Sequence, residues 1–197
     1  MKNAIEIEFK YRLPKDTDPE EVLEVILAAY PDAFVRHISY VDNYYIHKEN
    51  ESDTTVPFFL RHRADYGLSG GFLYSELTYK SLLNCKKQGV RQELNHNIAG
   101  TPAEIHRFVS ALGYTPVTTL HKSCIMVSLA DVDLTLDVIN DDEVIFEIEL
   151  SNPHAESAPI RKLEKYEKEF KTLGLSKAGR IDDLLFEMYS KYKLERK

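Results

Sequence analysis

The sequence predicts an α+β protein built on a closed, eight-stranded antiparallel β tunnel with flanking helices. Three observations predict it. Within Ala4–Tyr11, polar and apolar residues alternate without a break from Ile5 onward, so a strand there places Glu6, Glu8 and Lys10 on one face and Ile5, Ile7, Phe9 and Tyr11 on the other. The pattern then returns, as paired acids in Phe146-Glu147-Ile148-Glu149-Leu150 and with opposite sign in Leu60-Arg61-His62-Arg63. Single charges stand in four more strand-like runs: Lys80, Arg91, Lys122 and Asp137. A sheet with one solvated face has no need of charge on so many strands, whereas a closed barrel with a wet, charged interior does.

The elements follow in order. After the first strand, Pro14 to Pro19 is a polar turn. Asp18-Pro19-Glu20-Glu21 starts a helix, with a capping Asp, Pro at the first helical position and acids at the positive dipole end. Val22, Leu23, Ile26 and Leu27 form its apolar stripe, and Pro31 ends it. Phe34 to His47 suits a long strand, and Asn50 to Thr55 a polar loop. Phe58 to Tyr66 and Phe72 to Lys80 read as a hairpin around Gly67–Gly71. Asn84 to Gln88 is a polar turn before a strand over Gly89–Ile98. Thr101-Pro102-Ala103-Glu104 opens a second helix with a capping pattern, Ile105, Phe108, Val109 and Leu112 form its expected buried face, and Gly113 closes it. Strands are expected over Tyr114–Leu129, Asp131–Val138 and Val144–Leu150, the last two joined by a turn at Asn140-Asp141-Asp142. Asn152 to Pro159 is a linker. Ile160–Leu173 and Ile181–Leu194 read as amphipathic helices.

Composition narrows the function. The chain has 197 residues, 43% of them hydrophobic, enough for one core and one expected domain over residues 1–197. Most of the tunnel is expected in 1–150, with 151–197 as a helical part packing on the barrel. The net charge of -7 argues against a nucleic-acid partner, which would call for a basic surface. Any phosphate-binding cations must therefore be concentrated in a site. Cys85 and Cys124 lack metal-ligand spacing and suit reduced thiols of a cytoplasmic protein. The N-terminus has no signal-peptide pattern, and no apolar run approaches the length of a membrane span, so no membrane partner is expected.

The ordered set of charged strands resembles the CYTH, or triphosphate tunnel metalloenzyme, family. Its Glu-x-Glu-x-Lys hallmark stands here as Glu6, Glu8 and Lys10. Its Arg-x-Arg strand is matched by Arg61 and Arg63, its Lys strand by Lys80, its Arg-x-Glu strand by Arg91 and Glu93, and its late acids by Asp137, Glu147 and Glu149. A weaker element matches at Asp183-Leu184-Leu185. There are departures. The family's Lys-x-Arg strand reads Lys122-Ser123-Cys124, without the Arg. Asn95 stands where members often place a third charge, and Ile46-His47 follows Tyr44-Tyr45 in place of Asp-Thr. The His-Phe pair of the adenylyl cyclase branch does not precede Glu6. The family often forms dimers, and a homodimer is left open.

The charge chemistry agrees with what the resemblance implies. A triphosphate needs positive groups to hold it and to stabilise the transferring phosphoryl. Lys10, Arg61, Arg63, Lys80, Arg91 and Lys122 are the expected phosphate-binding set. Carboxylates beside such a substrate imply a hard divalent cation, Mg²⁺ or Mn²⁺, with Glu6, Glu8, Asp137, Glu147 and Glu149 as candidate ligands. Glu6, Glu8, Lys10, Arg61 and Arg63 are the candidate catalytic set. Taken alone, Arg61 and Arg63 would read as a solvated, salt-bridged face; in this ordered set they read as site residues. His62 is out of phase with them and reads as structural, and the other histidines lack metal-ligand spacing. Tyr44 and Tyr45 read as packing residues, with one hydroxyl within reach of the site. Lys177 and Arg180 precede the last helix and read mainly as surface residues, and the run Arg161 to Lys171 reads as a solvated helix face. The expected activity is metal-dependent hydrolysis of inorganic tripolyphosphate, a nucleoside triphosphate or thiamine triphosphate. The alternatives are a class IV-like adenylyl cyclase and a polyphosphate-binding module that has lost catalysis.

Overall fold

Alternation and capping produce the elements where the sequence places them. The computed structural model describes residues 4–67, 69–82, 90–153, 158–173 and 179–195. The expected turn at Asn84–Gln88, and Cys85, His154 and Lys177, lie outside the described residues. Eight long strands form: β1 (Ala4–Arg12), β2 (Phe34–His47), β4 (Phe58–Tyr66), β5 (Phe72–Leu82), β6 (Val90–Ile98), β7 (Tyr114–Ser128), β8 (Val132–Ile139) and β9 (Glu143–Leu150). Three short ones join them: β3 (Thr55–Val56), β10 (Gly179–Ile181) and β11 (Lys193–Leu194). The helices are α1 (Pro19–Ala29), α2 (Pro102–Ala111), α3 (Pro159–Thr172) and α4 (Leu185–Met188).

Two compact units are assembled from non-contiguous stretches. The arginine unit comprises Met1–Ile5, Ser39–His121 and Asp183–Lys197. Its sheet runs β2-β4-β5-β6, antiparallel throughout, with Tyr44 opposite Arg61, Arg61 opposite Thr78 and Lys80 opposite Glu93. Residues directly opposite share a face, so Asp42, Tyr44, Arg61, Arg63, Glu76, Thr78, Lys80 and Glu93 all project from one side. The other side is apolar: Tyr45 and Leu60 pack with Ile105 and Val109 of α2, against Leu77, Tyr79, Ile98 and Tyr114. Helix α2 starts where a capping box satisfies its first N–H groups, with Thr101 N–H donating to Glu104 at 2.8 Å and Glu104 N–H donating to Thr101 Oγ1 at 3.4 Å.

The carboxylate unit comprises Glu6–Ile38 and Lys122–Asp182. Here β1 pairs with β9, β9 with β8, and β8 with the end of β7, while β10 pairs with the end of β1. Glu8 lies opposite Glu149, Lys10 opposite Glu147, and Cys124 opposite Asp137. The opposite face carries Ile7, Phe9, Tyr11, Phe146 and Ile148, all buried. Phe146 stacks edge-on against Phe170 of α3, with centroids 5.5 Å apart. Fully burying a side chain of this size stabilises by roughly 1.5–3 kcal/mol, which holds α3 to β9 although most of its charged residues face solvent. Asp18 caps α1 by accepting from Glu20 N–H at 2.9 Å, and Val22, Leu23 and Ile26 are buried. The β8–β9 turn uses positive φ at Asn140 and Asp141, 51° and 58°, which matches the right-handed twist of the two strands.

Two local expectations are corrected. Phe108 and Leu112 are 52% and 54% exposed. Phe108 lies on the flank of the Ile105–Val109 stripe, and Leu112 is the C-cap, where the chain already turns toward Gly113 at φ 88°. The helix expected over Ile181–Leu194 is a single short turn, α4, between β10 and β11. Glu187 is the reason. Its buried carboxylate accepts from Leu184 N–H at 3.0 Å and from Leu194 N–H at 2.9 Å, which folds the segment back on itself. That carboxylate replaces the hydrogen bonds a continued helix would have made.

Candidate functional site

The carboxylate unit gathers its acids on one face of β1, β8 and β9. Glu6, Glu8 and Glu149 each offer an oxygen, and the three atoms lie within 4.8 Å of one another. Glu6 and Glu8 are 8% and 3% exposed, so the acids are drawn together out of bulk water. Lys10, whose Nζ is 2.9 Å from Glu8, offsets part of their mutual repulsion, and a bound cation would offset more of it. The donor set is all oxygen, from carboxylates, and fits a hard divalent cation such as Mg²⁺ or Mn²⁺. The remaining predicted ligands stand apart from this cluster. Glu147 pairs with Lys10, whose Nζ also contacts Glu8 at 2.9 Å. Asp137 pairs with Lys122 at 3.0 Å, both side chains almost wholly buried. Cys124 is buried on the same face, next to that pair.

The arginine unit gathers the cations of β4, β5 and β6. Arg61, Lys80 and Arg91 are 8%, 7% and 5% exposed. Arg61 reaches Glu76 at 3.4 Å, Glu93 at 3.5 Å and the Thr78 hydroxyl at 3.1 Å. Lys80 pairs with Glu93 at 2.8 Å. Burial and the neighbouring Arg63 work against the charge of Arg61, but Asp42 and Glu93 outweigh them and hold the guanidinium above its ordinary range. Arg63 forks onto Asp42, with Nε to Oδ1 at 2.7 Å and Nη2 to Oδ2 at 2.8 Å. Its guanidinium lies over the Tyr40 ring, 3.8 Å from the centroid.

The structure therefore places Glu6, Glu8, Lys10, Lys122, Asp137, Glu147 and Glu149 in one unit and Arg61, Arg63, Lys80 and Arg91 in the other. Two acids that the sequence reading passed over, Asp42 and Glu76, organise the arginines. Their signal was alternation: Tyr40, Asp42 and Tyr44 share one phase of β2, and Glu76, Thr78 and Lys80 share one phase of β5. Tyr44 lies on the charged face, its hydroxyl 3.5 Å from Asp42, while Tyr45 faces away and meets His106 at 3.1 Å. His62 is fully buried on the opposite face and pairs with the Ser75 hydroxyl at 3.0 Å, the structural role expected of it. Burial lowers its pKa from the ordinary histidine value. Arg180 stacks over Phe9, 3.7 Å from the ring centroid.

The chain matches the CYTH domain over residues 4–182 and belongs to that family. CYTH proteins are metal-dependent tunnel enzymes that bind triphosphates. Solved structures show the same fold. A Pyrococcus horikoshii protein aligns at a TM-score of 0.69 with 21% identity, over 93% of this chain and 97% of that one. A candidate adenylate cyclase from Vibrio parahaemolyticus aligns at 0.70 with 14% identity, over 95% and 98%. A Hippeastrum protein, described as a candidate adenylyl cyclase with a dominant triphosphatase activity, aligns at 0.64 with 15% identity, over 93% and 94%. No curated protein sequence matches the chain. The fold is the one the strand charges predicted, the closed eight-stranded antiparallel CYTH barrel with four helices. No helix among the described residues is long and apolar enough to cross a membrane.

Proposed function

We propose that the protein hydrolyses a triphosphate with the help of Mg²⁺ or Mn²⁺. The observation that carries this reading is the convergence of Glu6, Glu8 and Glu149 within 4.8 Å, on a face that also holds Lys10 and Lys122. Further support comes from the family and from the triphosphatase activity described for the Hippeastrum protein. A divalent cation held by the three carboxylates would neutralise phosphate charge and lower the pKa of a bound water. Arg61, Arg63, Lys80 and Arg91 hold phosphate oxygens. Arginine suits this task because its planar fork pairs with two oxygens at once. Lys10 and Lys122 act as point charges whose present partners, Glu8, Glu147 and Asp137, keep them aimed along the face. Asp42 fixes the Arg63 fork, so little ordering remains when substrate arrives.

The likeness to the Vibrio parahaemolyticus protein supports a second reading, cyclisation of ATP. One incubation separates the two readings. Purified protein is given tripolyphosphate, ATP and thiamine triphosphate with Mg²⁺ or Mn²⁺, and all products are resolved. Orthophosphate release that EDTA abolishes is the expected result. Cyclic AMP with pyrophosphate would replace the hydrolase reading with the cyclase. Tight tripolyphosphate binding without product would leave a binding module.

A further inference from the structure

We infer that Asp65 is a proton-linked brake on anion binding at the arginine face: protonated, it lets Arg63 take a phosphate chain, and ionised, it repels that chain. The inference rests on the triphosphate reading and adds a regulation to the same site.

Cross-strand register sets the charges. Asp65 shares the phase of Arg61 and Arg63 on β4. It lies opposite Tyr40 of β2 and Tyr74 of β5. The adjoining row is Asp42, Arg63 and Glu76. Rows two residues apart along a strand are separated by about 7 Å. Arg63 already has its counter-charge in the forked contact with Asp42, and Arg61 reaches Glu76 and Glu93. Asp65 makes no ion pair among the described residues. An ionised Asp65 is therefore surplus negative charge, one row from an arginine that meets the substrate.

The surroundings of Asp65 disfavour that charge. The side chain is 3% exposed. Both oxygens of an ionised carboxylate seek donors. The Tyr74 hydroxyl donates to this one, but Oδ1 has no hydrogen-bond partner. A buried charge so poorly solvated costs more than a neutral carboxyl in the same place. Burial first, and then the charges of Asp42 and Glu76, push the Asp65 pKa above the ordinary aspartate value, against the pull of the Tyr74 bond and Arg63. The groups that face it are thus Tyr40 and Asp42 from β2, Arg63 from its own strand, and Tyr74 and Glu76 from β5. None of them belongs to the Glu6, Glu8 and Glu149 cluster. Tyr74, with its pKa pushed up to about 12, stays a donor throughout the neutral range. A phosphate chain at Arg63 brings negative charge within about 7 Å of Asp65, which favours the protonated carboxyl further. Binding then draws a proton onto Asp65, and by reciprocity the proton strengthens binding. Affinity for the anion falls as pH rises through the Asp65 pKa.

The test compares the wild type with Asp65→Asn, which keeps an acceptor for Tyr74 and never carries charge. Tripolyphosphate binding is measured by calorimetry from about pH 5 to about pH 8, in two buffers of different ionisation enthalpy, with EDTA to stop turnover. The ligand's own protonation is common to both proteins, so their ratio isolates Asp65. Repulsion between charges about 7 Å apart changes an affinity on the order of tenfold. The wild type is therefore expected to lose about that factor more affinity than Asp65→Asn as pH rises, and to take up more protons per ligand bound. The urea midpoint of Asp65→Asn at about pH 7.5 should be no lower than the wild type's, because the variant buries no charge there. Parallel affinity curves with equal proton uptake would overturn the brake alone and leave the triphosphate reading standing. A lower midpoint with parallel curves would make Asp65 a structural residue. Absence of tripolyphosphate binding in both proteins at every pH would remove the triphosphate reading, and the brake with it.

Discussion

The carboxylate unit and the arginine unit carry the same kind of charged strand face but settle its charge in opposite ways. In the arginine unit three cations have acids arranged around them: Arg63 on Asp42, Arg61 between Glu76 and Glu93, and Lys80 on Glu93. In the carboxylate unit, Lys10 sits between Glu8 and Glu147 and Lys122 lies on Asp137, while Glu6, Glu8 and Glu149 also converge on one another. A buried ion pair is self-sufficient once its geometry is good; a buried cluster of acids is not. The first arrangement pre-orients positive groups for an anion, and the second asks for a cation. The difference teaches that a strand's residue types do not define its task. What matters is whether acids and bases alternate across the strands or several acids also crowd around one point.

The sharpest way to break this contrast is to neutralise the acid cluster. Glu6→Gln or Glu149→Gln is expected to lower metal-dependent kcat on the order of a hundredfold or more. The fold should survive, because each change removes one of three like charges. Activity against tripolyphosphate, read beside the thermal midpoint with and without Mn²⁺, checks both statements. In the wild type Mn²⁺ should raise the midpoint, and in the variants that shift should shrink. Full activity in both variants would remove these carboxylates from the metal site.

On the other face the predicted effect is on stability as well as on activity. Asp42 is fully buried and holds both nitrogens of the Arg63 fork. Asp42→Ala leaves Arg63 without that partner, at a cost of about 2–3 kcal/mol by urea denaturation. The loss is at the low end for a buried pair because Arg63 is 22% exposed and can turn to water. The same change should raise KM for a triphosphate more than it lowers kcat, since it loosens the aim of a binding group. A stability change below about 0.5 kcal/mol would mean that the fork is ornamental to the fold.

Cys124 tests the contrast at its weakest point. The family resemblance places an Arg there, and the structure puts the thiol on the charged face, across from Asp137 and two residues from Lys122. Cys124→Arg adds a cation beside an existing carboxylate. A several-fold gain in kcat/KM is expected, less than the effect of removing an aligned group from such a site. An unchanged rate would show that Lys122 and Lys10 already supply the charge on this face.

Much of this was legible in the sequence because alternation in a strand is a strict rule. Glu6, Glu8 and Lys10 had to share a face, and so did Arg61 and Arg63. Long strands were legible for the same reason: β2 and β4 form with the bounds the pattern indicated. What stayed hidden depended on partners far away in the chain. Nothing local distinguishes Glu149, which joins Glu6 and Glu8, from Glu147, which pairs with Lys10; register decides it. Asp42 and Glu76 were missed because each is a single acid in its strand and its arginine partner lies on the neighbouring strand. The false last helix had a periodic apolar pattern, but Glu187 turns its carboxylate inward to cap Leu184 and Leu194, and periodicity carries no sign of that.

The smallest expected effect concerns the back of the arginine strand. His62 projects opposite to Arg61 and Arg63, is fully buried, and is held neutral because burial disfavours its charged form. The unfolded chain takes up a proton near the ordinary histidine value of about 6.5. The folded protein resists protonation until a lower pH. The stability due to this difference is fully present above about pH 6.5 and is lost as pH falls from there toward the depressed folded value. Between pH 7.5 and 5.5 this contribution therefore shrinks. His62→Gln keeps a polar group for Ser75 and does not titrate, so its urea midpoint should fall less over that interval than the wild type's. Identical falls would show that protonating His62 costs the folded state nothing. The arginine strand would then owe its acid sensitivity to the carboxylates on its charged face, and the two sides of β4 would not be as separate as the packing makes them.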